Sequence, residues 1–130
     1  MDQGPLVMQQ IEAGEKFIQE FAKCMPLRAA FWLKDAEEKE WYLYVASDQI
    51  KDSTGPAYGE VARITAGMRG PWFNGLEVKV IGADKPLAEA VVELQQKYKP
   101  NEPNRYRTLP LGGMYVEEIY IYPLPVAVPN

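Results

Sequence analysis

The residue types in this sequence limit its chemistry sharply. It has no histidine and one cysteine in 130 residues. A zinc site of the His or Cys/His type needs imidazoles or several thiolates, and a Ser-His-Asp or Cys-His arrangement needs the imidazole as its base. Neither can be built, so carboxylates, lysines, arginines and tyrosines remain. Glu77 and Lys79 stand as Glu-x-Lys in "LEVKVIG". With an upstream aspartate, Asp48 or Asp52, such a pair has the parts of a magnesium-dependent phosphodiester hydrolase. The outward face of any alternating strand produces the same pattern, and a solvated face is the simpler reading. No catalytic residue and no metal ligand is assigned.

The stretch "KYKPNEPNRYR" gathers Lys97, Lys99, Arg105 and Arg107. Guanidinium forks suit carboxylates and phosphates, so Arg105 and Arg107 form a candidate site for a small anion. The competing reading is a charged surface loop. Gly112 and Gly113 lack a following helix and read as a turn rather than a phosphate loop. Glu37, Glu38 and Glu40 beside Lys39 read as solvated charge at a hairpin tip. Cys24 falls near an apolar helical stripe and reads as a small core residue. Ser47 beside Asp48 has no base to activate it.

The elements that position these residues follow from periodicity. Val7, Ile11, Gly14, Ile18, Phe21 and Met25 recur at helical spacing between Pro5 and Pro26, which predicts a first helix ending near Cys24. "RAAFWLK" (28–34) and "WYLYVAS" (41–47) alternate as strands, and the short polar link makes them an antiparallel hairpin. Ser53 or Thr54 can cap a second helix, over 56–68, with Pro56 in its first turn. "RGPWFNG" (69–75) breaks the pattern, and Leu76 to Ile81 alternate again. Asp84 and Pro86 open a third helix with Leu87, Val91, Leu94 and Tyr98 as its stripe. Residues 99–113 predict a long irregular connection with a short strand at Arg105 to Leu109. "MYVEEIYIY" (114–122) is the last strand. The fold expected is a single α+β domain over 1–122. Its mixed sheet of four or five strands packs against three amphipathic helices, and 123–130 form a Pro-rich extended tail.

The strands have two apolar sides. Tyr42 and Tyr44 alternate with Trp41, Leu43 and Val45. Val116, Glu118, Tyr120 and Tyr122 alternate with Tyr115, Glu117, Ile119 and Ile121. If helices cover the aliphatic side, Trp32, Tyr42, Tyr44, Tyr120 and Tyr122 form an aromatic face. A second layer can cover it, or it can serve as a surface for a protein partner or homodimer. The working expectation is a non-catalytic binding or assembly module using that face. The alternative is a metal-dependent, carboxylate-based hydrolase or nuclease-like enzyme centred on Glu77 and Lys79.

The net charge of -4 opposes nucleic-acid binding, which draws on basic residues that displace counterions. The lone Cys24 excludes an intrachain disulfide and suits a reducing compartment. The N-terminus "MDQGPLVMQQ" lacks a signal-peptide pattern, and no apolar run is long enough to span a membrane. The expected location is cytoplasmic. No cofactor is expected.

The runs "AAFWLKDAEEKEWYLYVASDQI", "GPAYGEVARI" and "VEEIYIY" resemble a family of small uncharacterised bacterial proteins. That family's pattern is an Ala-aromatic-Trp hairpin, a Trp-x-Leu strand ending in Ala-Ser, a Gly-Pro-x-x-Tyr helix start and a terminal Tyr-x-Tyr strand. The matching positions are Ala30, Phe31, Trp32, Trp41, Leu43, Ala46, Ser47, Gly55, Pro56, Tyr58, Tyr120 and Tyr122. The spacing from Pro56 to Tyr58 is shorter here than in the pattern. The resemblance implies no activity, ligand or catalytic residue.

Overall fold

The helical stripe at the N-terminus becomes α1 (Met8–Cys24), which buries Phe17, Ile18 and Phe21. The computed structural model describes residues 6, 8–51, 54–68, 77–97 and 103–123. Expectations that fall on Pro5, Val7, Asp52, Ser53, 69–76, Tyr98, Lys99 and the tail from 124 lie outside the described residues. After α1 come β1 (Ala29–Asp35), β2 (Trp41–Ser47) and α2 (Gly55–Ala66), then β3 (Val78–Gly82) and α3 (Pro86–Lys97). β4 (Asn104–Leu111) and β5 (Met114–Ile121) close the fold. Thr54 stands at the N-cap of α2 with Pro56 in the first turn, though its side chain makes no capping bond.

The five strands form one sheet in the order β3-β2-β1-β5-β4. β2 and β3 are parallel and the other neighbours antiparallel. The sheet is therefore mixed and, with three helices among the described residues, the fold is α+β, as the sequence predicts. The helices divide between its two faces. α1 and α2 pack against Trp32, Trp41, Leu43, Val45, Val78 and Val80. α3 packs against Phe31, Leu33, Ile119 and Ile121 on the other side. Both faces are core, so every central strand is apolar on both sides, as strands buried on two faces must be.

The β1–β2 link reverses without glycine. The Asp35 side chain accepts hydrogen bonds from the backbone N–H of Glu37 (2.6 Å) and Glu38 (3.2 Å), as aspartate does in turns. Lys39 takes a left-handed φ of 61° to complete the reversal.

The region expected to be an irregular connection is the eight-residue strand β4. Gly112 and Gly113, at φ 56° and 84°, form the two-residue turn of a β4–β5 hairpin. Two positive φ values are what a type I′ turn requires. Leu111 and Met114 pair directly across it.

That hairpin is creased midway. Lys34 pairs with Glu118 but Asp35 pairs with Val116, so Glu117 is an extra residue in β5. In β4 the facing position holds Thr108 at φ 50°. A left-handed conformation is a strained one for a β-branched residue. The crease reverses the alternation in both strands at one level. Below it Tyr106, Ile119 and Ile121 face α3; above it Leu109, Leu111, Met114 and Val116 do so too. The expectation that Val116 shares a side with Glu118, Tyr120 and Tyr122 is corrected here: the bulge turns it over.

Candidate functional site

The register assigns each candidate aromatic to a face. Trp32 pairs with Leu43 on one side and with Tyr120 on the other. Trp32, Tyr120 and Tyr122 therefore lie on the α1/α2 side. Phe31 pairs with Tyr44, and Leu33 with Tyr42, so both of these tyrosines lie on the α3 side. The five residues expected to share one face are split between two. Alternation within β1 and β2 follows the expected pattern, but the parity between strands depends on how the loops close and, in β5, on the bulge at Glu117.

Most of these rings are also buried. Trp32 is fully covered and Tyr122 is 3% exposed. Trp32 Nε1 donates to Tyr122 Oη at 3.0 Å, and Tyr122 Oη donates to the carbonyl of Ile11 in α1 at 2.6 Å. Gly14 makes this approach possible. A Cβ there would collide with Tyr122 Oη and lie 2.7 Å from Trp32 Nε1. Burial pushes the Tyr122 phenol above its ordinary pKa, with a smaller opposing effect from Trp32. These residues lock α1 to the sheet and leave no free ring face there. Tyr120 is half-buried and meets Tyr122 edge-on at 5.2 Å.

On the α3 side, Tyr44 stacks on Phe31 at 5.2 Å with an interplanar angle of 5°. Burial pushes its pKa up to about 12. Tyr42 is half-buried and donates to Glu40 Oε2 at 2.7 Å. That hydrogen bond is the main reason its pKa also rises to about 12. Lys79 Nζ sits 4.1 Å from the Tyr42 ring centroid, a cation–π contact. α3 packs chiefly on β1, β5 and β4, while Tyr42 and Lys79 belong to β2 and β3, toward the other edge of the sheet.

Two further expectations meet the register. Leu43 pairs with Val78 and Ser47 with Gly82. Glu77 thus lies beside Tyr42 at one end of the parallel pair and Asp48 follows the other end, roughly 20 Å away at about 3.3 Å per residue. Glu77, Lys79 and Asp48 do not converge. Among the described residues no group of three or more His, Cys, Asp or Glu could hold a metal. Arg105 and Arg107 do converge, on a carboxylate of the chain itself. Arg105 Nε reaches Glu118 Oε2 at 2.6 Å, and Arg107 Nε lies 3.7 Å from Oε1. Lys97 lies in the last turn of α3.

Cys24 is exposed rather than in the core. Its thiol donates to Glu60 Oε2 and accepts from Arg63, each at 3.3 Å, so it ties α1 to the outer face of α2.

Both sheet edges are obstructed. In β3 the N–H of Val80 donates to Tyr58 Oη at 3.0 Å. β4 carries Arg105, Arg107, the left-handed Thr108 and Pro110. Charges, prolines and irregular backbone keep an edge from pairing with another strand.

The concave feature that sequence reading missed lies beyond the carboxyl ends of β2 and β3. The Ser47 carbonyl accepts from Ala83 N–H at 3.0 Å and Ile50 N–H at 3.3 Å, which ties the two strand ends together. Ser47 Oγ accepts from Gln49 N–H at 3.1 Å, a turn contact and not an activated hydroxyl. A cleft of about 360 Å³ opens between Arg28, Asp48, Asp84, Glu89 and Glu93. A hollow of about 550 Å³ shares Asp48, Ala83 and Asp84 with it and reaches Lys51 and Lys85. Arg28 and Asp48 form an exposed ion pair at 3.4 Å. The visible sequence signal was a strand end followed by Asp at both Ser47-Asp48 and Gly82-Ala83-Asp84; that the two ends are neighbours required the fold.

No family model, no curated protein and no solved structure matches this chain. The family resemblance carried by the hairpin and Tyr-x-Tyr residues therefore gains no support from these comparisons, and the functional reading rests on geometry.

Proposed function

We propose that this chain is a small binding module without catalytic machinery of its own, with its ligand seated in the cleft beyond β2 and β3. One observation carries the reading. β2 continues into α2 on one face of the sheet, and β3 continues into α3 on the opposite face. Where the connections of adjacent parallel strands part in this way, a crevice forms outside their carboxyl ends, and ligands of open α/β sheets bind there. The cleft of about 360 Å³ is within the size range of small-molecule sites. Its lining sets four carboxylates against one guanidinium, which favours a polar ligand bearing a positive charge. Titration with spermidine, followed by amide chemical shifts, tests this. Shifts should concentrate at Asp48, Asp84, Glu89 and Glu93 and weaken in a Glu89→Gln, Glu93→Gln variant. Uniform shifts over the acidic surface would remove the reading.

A second reading keeps the partner expected from the aromatic residues. Its support is the half-buried Tyr42 and Lys79 pair, on strands other than the three that α3 packs against most. A homodimer or protein partner would use that stretch, since both sheet edges are obstructed. Sedimentation equilibrium of the wild type and a Lys79→Glu variant checks it: a monomer in both cases excludes the homodimer. A cytoplasmic location belongs to the same proposal. Among the described residues no helix is long and apolar enough to cross a membrane.

A further inference from the structure

The distal half of the β4–β5 hairpin is attached to the rest of the molecule differently from every other strand segment. Pairing between β1 and β5 ends at Asp35 and Val116. Beyond that level Pro110 to Tyr115 pair between β4 and β5 alone, with one added bond from Ala36 N–H to the Tyr115 carbonyl at 3.1 Å. A two-stranded ribbon is marginal in isolation and needs a packing partner. Here the partner is the first half of α3, where Leu109, Leu111, Met114 and Val116 meet Leu87, Ala88 and Val91. The turn itself lies on the helix: a Cβ at Gly112 would stand 2.5 Å from the Leu87 backbone.

The junction between the two halves is strained and clamped. Thr108 holds a left-handed backbone at φ 50° opposite the extra residue Glu117. Glu117 is gripped by Lys34 Nζ at 3.0 Å and Lys39 Nζ at 2.6 Å. Those lysines belong to the first hairpin, so the clamp ties the crease to the centre of the sheet.

We propose that the hairpin tip, Pro110 to Tyr115, is a flap hinged at the crease formed by Thr108 and Glu117. The Lys34–Glu117–Lys39 clamp and the α3 contact hold it closed, and it opens without unfolding the sheet. Segments with few cross-links to the body open at lower free energy than the global unit, and residues in sparsely populated backbone conformations mark hinges and switches. Opening uncovers the start of α3 at Leu87, on which the closed turn lies. The flap is independent of the cleft reading, because neither its hinge nor its clamp lines the cleft.

Amide hydrogen exchange on the full chain tests the flap. In the wild type, tip amides should exchange at least about tenfold faster than those of β1 and β2 under identical conditions. Glu117→Gln removes the clamp and should speed the tip by about fivefold while leaving β1 and β2 unchanged. Thr108→Gly removes the Cβ conflict of the left-handed hinge and should slow the tip; it also serves as the readout if Glu117→Gln fails to fold. Tip amides that exchange together with β1 and β2 in the wild type, or a tip unaffected by both substitutions, would overturn the proposal.

Discussion

The two hairpins of this sheet, β1–β2 and β4–β5, are built from similar residue types but hold their place in different ways. In the first, alternation is unbroken within Ala29–Asp35 and within Trp41–Ser47, and each side of each strand meets a different helix layer. In the second, a bulge at Glu117 and a left-handed Thr108 reverse the alternation midway. The first hairpin is held by burial on both faces. The second reaches its helix through a crease that costs conformational strain. Apolar burial of about 1.5–3 kcal/mol per large side chain outweighs a strained residue at about 1–3 kcal/mol, so the crease persists because it turns several apolar side chains inward at once.

The largest effect should fall on the first hairpin. Trp32→Ala empties a fully buried site between α1 and the sheet and should destabilise by about 3–5 kcal/mol in urea unfolding. A loss near that of an exposed residue would show that the two hairpins are held alike. Next comes the turn of the second hairpin. Gly112→Ala forces an alanine to φ 56° against the Leu87 backbone and should cost about 2–3 kcal/mol. The midpoint of thermal unfolding reads it.

Tyr122→Phe comes third. It removes the hydroxyl that accepts from Trp32 and donates to Ile11, at about 1–2 kcal/mol. Its pH dependence sharpens the comparison. The folded state raises the pKa of Tyr44 and Tyr122 by burial, so the unfolded chain releases these protons first. Their stabilising contribution is full below pH ~10 and is lost as pH rises through the folded-state values. Unfolding midpoints should therefore fall above pH ~10, less steeply in the Phe variant. The smallest effect is Arg107→Ala. The side chain is 76% exposed, at 3.7 Å from Glu118, and should change stability by less than about 0.5 kcal/mol.

Much of the fold was legible because local rules and tertiary packing agree. The stripe of Ile11, Ile18 and Phe21 gave α1, and Pro56 and Pro86 marked the starts of α2 and α3. β4 was obscured by Arg105, Arg107 and Pro110, which weaken a strand pattern because they suit an edge. The Gly-Gly between "LPL" and "MYV" was a hairpin signal, readable had both flanks been taken as strands. For the candidate site, Asp48 was visible as a polar residue at a strand end. Asp84 was visible in the same way, but not that it neighbours Asp48 or that Glu89 and Glu93 join them, since the two strand ends meet only through a crossover and the glutamates come from the helix that follows.

By itself the sequence determined the helices, the first hairpin, the α+β class and the exclusion of histidine chemistry, because these depend on residue type and on periods within one segment. Tertiary structure decided which rings share a face, where α3 lies, that Glu118 meets Arg105 and Arg107, and that a cleft opens beyond β2 and β3. Those outcomes depend on the parity of strand pairing. One extra residue at Glu117 inverts that parity, and no period within a single strand records it.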